Sequence, residues 1–521
     1  MQDAARATTG RSVLRGGLWY VASYGVPQAY TLVISIVAAR FLGPEGMGRQ
    51  SFIAFVSLTV TSVLSSAMYV ALMRFIGETA GRGQSELLPG LLWWAWRIEA
   101  VAAVLAAGAL AAVAATGARP TGAWALAAVV SAAGVLHTVP TAVLIGLQRF
   151  RDAAVVGLAT GLVSTAAVTI VLWQGGGITG MFAVEAAVGM VNLAWTGTLA
   201  RRRLGAVSGA GADPEQSRRL RRAVVNYALL SSVGVVLEMV VATRSEFFFL
   251  AHYSSDSQIA FYSIAFSAVT ALRLIPRGLG GSIAPAFATL YGAGAWDRIR
   301  NGYSRAFRFL LFVSLPVTAV MLALGQALVR VVYGGGYRGV GHPLQIVFAV
   351  FPLVAVGALG NSLLAGLGRV RMALVVTAVA AAVDVGLAAG LIPSLDAVGA
   401  AIANAAAQAT YALIVLVFSA RLLGRPDWRP LTTLRRVVAS AGAGAAGWIC
   451  VHVLGDVAGL LAGVPAALVV FGLMGWGLRI MPADDARWID DALGSKLFGA
   501  VGRLARLWSE RERTSPGPER P

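Results

Sequence analysis

Several ionisable side chains of this 521-residue chain stand inside long apolar runs. Charge in hydrocarbon is costly, so such groups normally face water, a partner or a substrate. Arg273 and Arg277 are four residues apart in one run, so a helix puts both guanidinium forks on one face. Together they could grip a phosphate or pyrophosphate. The competing reading makes them the cytosolic half of that helix, or partners of Glu238. Arg244 and Glu246 share the preceding run with Glu238. Arg74 closes an earlier run, where, like Arg40, it could simply snorkel to the interface. Arg273, Arg277, Arg244 and Arg74 form the candidate phosphate-binding set.

A second group of polar residues suits ion coupling. Glu185 and Asn192 are seven apart and share a helix face, as do Asn404 and Gln408, while Asp384 stands alone near the middle of its run. With Glu238 and Glu246 they are cavity candidates that could bind a coupling proton or sodium ion. Each could equally be a neutral, hydrogen-bonded contact between helices. For Glu246, near the outer end of its run, the alternative is interfacial exposure. Glu99 follows Trp93, Trp94, Trp96 and Arg97, a cluster resembling an interfacial aromatic belt, yet it lies deep enough to face a cavity.

Catalytic signatures are missing. Lys496 is the only lysine and stands outside any G-x-x-x-x-G-K-[ST] run, so no P-loop supplies ATP drive. His137, His252, His342 and His452 are scattered, without metal-ligand spacing. Cys450 is the single cysteine, inside an apolar run, which excludes a disulfide within the chain. The sequence therefore predicts no enzyme, no catalytic residue, no metal and no cofactor beyond a coupling ion.

The elements that must carry these groups are membrane spans. Hydrophobic residues make up 57% of the chain and charged ones 13%. Apolar runs of spanning length recur about fourteen times, each near the ~20 residues needed to cross a core about 30 Å thick. The run at 259–290 is over-long, which predicts a tilt or a break at Pro276 or Pro285. Arginines cluster in alternate connections, around Arg11, Arg149, Arg201, Arg300, Arg369 and Arg429, while the opposite connections at 174–177, 255–258 and 455–457 are short and nearly uncharged. The positive-inside rule then puts both termini in the cytoplasm of a multi-pass protein of the bacterial cytoplasmic membrane. It also accounts for the net charge of +18 without nucleic acid.

An internal duplication organises the spans. Gly146-Leu147-Gln148-Arg149-Phe150-Arg151 matches Gly366-Leu367-Gly368-Arg369-Val370-Arg371, and Ala200-Arg201 matches Ala420-Arg421 at the same offset. Each motif follows the fourth span of a six-span block, which predicts a parallel repeat. The expected all-α fold has two six-helix lobes, 1–206 and 223–425, joined by a basic cytosolic linker at 207–222. Two further spans occupy 426–481, and a cytosolic tail, amphipathic and then disordered, follows at 482–521.

Short motifs then point to a family. Ala39-Arg40-Phe41-Leu42-Gly43-Pro44, Gly146–Arg151, Tyr333-Gly334 with Tyr337, and Leu391-Ile392-Pro393 with Gly399-Ala400-Ala401-Ile402-Ala403 resemble junctions of bacterial polysaccharide exporters, O-antigen-type flippases of the multidrug/oligosaccharidyl-lipid/polysaccharide (MOP) superfamily. The resemblance covers about 400 residues. It implies lobes around a cation-lined cavity and export of a polyprenyl-(pyro)phosphate-linked oligosaccharide for cell-envelope polysaccharide. It also implies contact with membrane lipids and with a polymerase and glycosyltransferases of that pathway. Spans 13 and 14 suit this branch better than the twelve-helix drug exporters. Where many members carry an aspartate in span 7, this chain has Arg244-Ser245-Glu246-Phe247-Phe248-Phe249. A lipid II flippase, a drug or metabolite antiporter of the same superfamily, and a membrane glycosyltransferase remain the alternatives.

Overall fold

The computed structural model describes residues 10–205, 213–242, 245–272, 283–284, 286–424, 427 and 429–486. The apolar runs form helices because in hydrocarbon every backbone N–H and C=O has to bond within its own segment. In chain order these are α1 (Gly10–Gly81), α2 (Leu88–Ala115), α3 (Thr121–Leu136), α4 (Thr138–Gly146), α5 (Phe150–Trp173), α6 (Gly177–Leu204), α7 (Pro214–Ala242), α8 (Glu246–Tyr253), α9 (Asp256–Leu272), α10 (Trp296–Tyr333), α11 (Gly341–Ala349), α12 (Phe351–Gly366), α13 (Val370–Leu423), α14 (Pro430–Leu454) and α15 (Asp456–Leu478).

Among the described residues nine helices are long and apolar enough to cross a membrane, or ten if the bent α11–α12 pair is one span. Two of the nine, Tyr30–Gly81 and Arg371–Leu423, hold 52 and 53 residues. At ~1.5 Å per residue each would far exceed one bilayer core. Both are broken. Gly43 takes φ 68° in α1, a conformation only glycine adopts cheaply, and Pro44 follows it at the start of the next helix. Asp396 takes φ 49° in α13, three residues after Pro393. Counting both as double, with α7 and α9 opening spans 7 and 8, the helices agree with about fourteen crossings. The predicted break points Pro276 and Pro285 lie outside the described residues, as does the tail from 487.

By contacts the chain forms two units, Met1–Leu274 with Ala388–Ala397, and Ile275–Leu387 with Val398–Pro521. In the first, Leu72, Ile76, Leu88, Leu91, Val139 and Leu144 form a buried core under α1, α2 and α4. Helices α7 and α9 pack on α1, and Arg49 at its second half bonds Asp256 of α9 at 2.6 Å. The second core gathers Ile299, Tyr303, Leu310, Leu359, Leu363 and Leu423. Of the basic stretch 207–222, the described part is helical from Pro214. Asp213 Oδ1 accepts the Glu215 N–H at 2.9 Å there.

The repeated motif has the same local geometry in both halves. Leu147 and Leu367 close their helices at φ −83° and −87°; Gln148 and Gly368 follow at φ 58° and 67°; Arg149 and Arg369 open the next helices with ψ 48° and 46°. The Arg149 N–H donates to Leu144 O at 2.7 Å, and the Arg369 N–H to Leu364 O at 2.8 Å. The glycines are needed for close approach. A Cβ on Gly146 would stand 2.9 Å from Met73 O, and one on Gly366 2.7 Å from Ala284 O.

Helices α14 and α15 pair through small residues, Gly463 against the Gly447 carbonyl, as membrane helices do where backbones approach. The start of α14 and the residues after α15 are clamped to α10. Arg308, 4% exposed, donates twice to Asp485, from Nε at 2.7 Å and Nη2 at 2.6 Å, and again to Asp427 at 3.2 Å. Arg436, 2% exposed, donates to Ile480 O at 2.8 Å and to Arg308 O at 2.9 Å. Arg429 reaches Asp427 at 3.3 Å and Asp484 at 3.2 Å. Burial pulls the Arg429 guanidinium down, but the bonds to Asp427 and then Asp484 outweigh it and lift the group above its usual value.

Candidate functional site

Of the phosphate-binding set only Arg74 lies among the described residues; Arg244, Arg273 and Arg277 lie outside them. Arg74 sits near the end of α1 with its guanidinium carbon 4.6 Å from the Tyr227 ring centre on α7. Its Nε is 4.0 Å from Glu78, which also pairs with Arg82 at 2.6 Å. Half exposed and resting on an aromatic face, the cation keeps donors open at that end of the first unit. Next to this end, α2, α4 and α6 line an open cavity of about 330 Å³, walled by Leu92, Val143, Leu193 and Gly197 with Trp96, Thr198 and Arg201 as its polar contributors.

Glu246 begins α8 and is fully buried, so the interfacial alternative does not hold. The next residue on the same helix packs into an aromatic cluster. Phe247 stacks on Phe55 of α1 with centres 5.0 Å apart, and lies 5.7 Å from Tyr262 of α9. The side chain of Glu238, late in α7, is outside what is described.

Asn192 belongs to a polar chain that links three elements of the first unit. The His137 Nε2 lies 3.2 Å from Thr196 Oγ1, and the Thr196 hydroxyl donates to Asn192 Oδ1 at 3.0 Å. The Asn192 amide reaches Thr160 of α5 at 3.5 Å. Thr141, one turn on from His137, contacts its ring at 3.1 Å. With the proton on Nε2, His137 donates to Thr196 and every link in the chain is consistent. His137 sits at the junction of α3 and α4, where the helix is interrupted and Pro140 follows. Sequence reasoning passed over it as one of four scattered histidines; a histidine three residues before a proline in an apolar span was the available signal.

Glu185, two turns before Asn192 on α6, is half buried. Glu99 of α2 is fully buried, and neither of its carboxylate oxygens has a hydrogen-bond partner among the described residues. A carboxylate in that position is stabilised by whatever proton or cation reaches it.

In the second unit Asp384, Asn404 and Gln408 are all buried, at 0%, 1% and 7% exposure. They lie on the two halves of α13, Asp384 before the break at Asp396 and the amides after it. Buried groups of this kind are positioned by hydrogen bonds or by a bound cation. Among the described residues no group of three or more His, Cys, Asp or Glu could hold a metal.

Known proteins share this architecture. The MatE family model matches residues 231–389. The chain superposes on the inward-facing conformation of a multidrug resistance MATE family transporter of the MOP superfamily with TM-score 0.66 and 15% identity, over 78% of this chain and 98% of the other. The lipid II flippase MurJ in an inward closed conformation gives 0.65 and 12%, over 88% and 97%. A MOP superfamily transporter from Pyrococcus furiosus gives 0.59 and 15%, over 79% and 95%. No curated protein matches the sequence. The fold is that of MOP-superfamily transporters.

Proposed function

We propose that this protein is a MOP-superfamily transporter that moves a polyprenyl-(pyro)phosphate-linked oligosaccharide from the inner to the outer leaflet, by alternating access, for cell-envelope polysaccharide synthesis. The observation that carries the reading is the α14–α15 pair. It adds two spans to a twelve-span plan and is fastened to α10 of the second unit through buried Arg308 and Arg436. The similarity to the lipid II flippase structure also extends over more of this chain than that to the multidrug transporter, 88% against 78%. A small soluble drug needs no such addition; a lipid-borne substrate gives it a use, as a wall for the prenyl chain.

Arg273 and Arg277, with Arg244 and Arg74, would hold the phosphate through paired guanidinium bonds. Protonation or sodium binding at Glu185, Glu238, Glu246 or at Asp384 with Asn404 and Gln408 would drive the return step. The protein would act without chemical conversion of its substrate. The arginine-rich clusters would face the cytoplasm, with both termini.

Depleting the protein in its native cell, followed by mass spectrometry and leaflet-accessibility profiling of polyprenyl-linked sugars, tests the reading. Accumulation of one lipid-linked oligosaccharide on the cytosolic face supports it and names the sugar; accumulation of lipid II instead moves the substrate to that precursor. An unchanged lipid-linked pool overturns it in favour of a soluble-substrate antiporter.

A further inference from the structure

At the end of α10 remote from its arginine-rich start, the second unit has a polar cavity of about 290 Å³. Helices α10, α11, α14 and α15 each contribute to it. Arg330 and Asp456 form a bidentate pair, Nε to Oδ2 at 2.7 Å and Nη2 to Oδ1 at 2.6 Å. Trp448 and His452, one turn apart on α14, stack with ring centres 5.0 Å apart and planes 10° from parallel. Gln345 donates its amide to Leu322 O at 3.2 Å, which leaves its carbonyl oxygen as an acceptor. Gln326 lines the same space.

We propose that this cavity is a binding site for a single neutral pyranose. Its volume is on the scale of one sugar ring with solvent. Stacked on each other, the two rings each keep one outer face, apolar surface of the kind that the C–H face of a pyranose covers, while their edges and the amides address hydroxyls. Adjacent sugar hydroxyls each act as donor and acceptor, and so need planar groups with both roles side by side. The paired carboxylate and guanidinium, with the Gln326 and Gln345 amides, provide that alternation.

The pairing of Arg330 disfavours an anionic headgroup as the main ligand, although Arg338 also acts electrostatically on Asp456. Arg330 already has its strongest acceptor in Asp456, bound through two of its nitrogens. An incoming phosphate would have to displace that carboxylate or lie beside it, and like charges at that range repel. A neutral polyol uses the pair without breaking it. The short connection between α14 and α15, Gly455 at φ 79°, holds Asp456 at the first turn of α15 and so fixes the carboxylate at the rim.

The inference stands on the cavity alone and does not require the lipid-linked substrate proposed above. Equilibrium binding tests it, with the full-length protein in nanodiscs and saturation-transfer NMR of glucose, galactose, mannose and N-acetylglucosamine. Glycerol 3-phosphate and inorganic phosphate serve as anionic probes. At least one hexose is expected to receive saturation from the wild type, with its signal reduced about 5-fold or more by Trp448→Leu, the loss of one aromatic platform. Gln326→Ala, which removes no internal hydrogen bond of the described residues, is expected to weaken it as well. Both variants are checked for folding by thermal unfolding. No hexose signal above protein-free nanodiscs overturns the proposal. So does a signal that both folded variants retain in full, and so does displacement of the hexose by glycerol 3-phosphate, which would make the cavity a lipid-headgroup site. Hexose binding together with an unchanged lipid-linked pool on depletion would sink the transport reading and leave the site intact.

Discussion

Asp485→Ala is expected to loosen the Arg308 clamp on α14 and α15. The carboxylate is 10% exposed and takes two bonds from Arg308, whose side chain is 5% exposed. Removing one partner of a buried pair strands the other charge, which typically costs 3–5 kcal/mol. Here Asp427 still reaches Arg308 at 3.2 Å, but from a half-exposed position, so the lower end of that range applies, about 3 kcal/mol. For a unit of some two hundred residues each kcal/mol lowers Tm by roughly 2–4 °C, giving a fall of ~6–12 °C. Tryptophan-fluorescence unfolding of the protein in nanodiscs measures it. Arg219, paired with Glu215 where both side chains are about three-quarters exposed, provides the control, and Arg219→Ala should leave Tm within about 2 °C. Replacing both partners, Arg308→Met with Asp485→Leu, removes the stranded charge and should recover most of the loss. A fall below 2 °C for Asp485→Ala, or a double variant no better than the single one, would refute the clamp.

Three further outcomes follow from the packing and the topology. Gly48→Ala should destabilise the first unit by ~1–3 kcal/mol, because the added methyl would collide with the Asp256 carbonyl beside the Arg49–Asp256 pair; unfolding by heat would detect it, and an unchanged Tm would contradict the packing. Thr196→Val removes the hydroxyl between His137 and Asn192 and should cost ~0.6–2 kcal/mol, the range for such bonds between membrane helices, with Asn192→Ala adding only the loss of its 3.5 Å contact with Thr160. In a Cys450→Ala background, Gln174→Cys should react with an impermeant maleimide from outside the cell and Gln216→Cys only after lysis; the reverse pattern would invert the orientation drawn from the arginines.

Local signals carried much of the architecture and little of its long-range wiring. Runs of alanine, valine and leucine mark the spans because hydrocarbon demands them residue by residue, and the Gly146 and Gly366 motifs mark the repeat because close backbone approach leaves no room for a side chain. Spans 1 and 2, and 11 and 12, were separable in sequence by Gly43-Pro44 and by Pro393 with Asp396, residues that break helices for known backbone reasons. Arg308 gave no such sign. It read as one more cytosolic arginine, since its partners Asp427 and Asp485 are 119 and 177 residues away and only the fold brings them to it. His137 was missed for the same reason, as Thr196 lies 59 residues on. Glu246 was visible as an acid within its run, but its complete burial comes from packing between helices, where its neighbour Phe247 meets Phe55 and Tyr262.

The repeat also separates scaffold from function within the two halves. Spans 5–6 and 11–12 align without insertion, since one offset of 220 joins Gly146 to Gly366 and Ala200 to Ala420. On that alignment Glu185, Asn192 and Thr196 correspond in sequence to Ala405, Ala412 and Leu416, while Asp384, Asn404 and Gln408 correspond to Ser164, Val184 and Val188. The interior polar groups are therefore not a shared requirement of the helical frame, which stands in each half without those of the other. Asp384→Ser restores the residue that the first half carries at the matching place. If Asp384 serves ion coupling, the variant should fold with Tm within about 4 °C of wild type, the effect of roughly 1 kcal/mol or less, while lipid-linked sugar accumulates on the cytosolic face as the proposed function expects on depletion. A large fall in Tm with export intact would instead make Asp384 a helix-packing contact and remove it from the transport cycle.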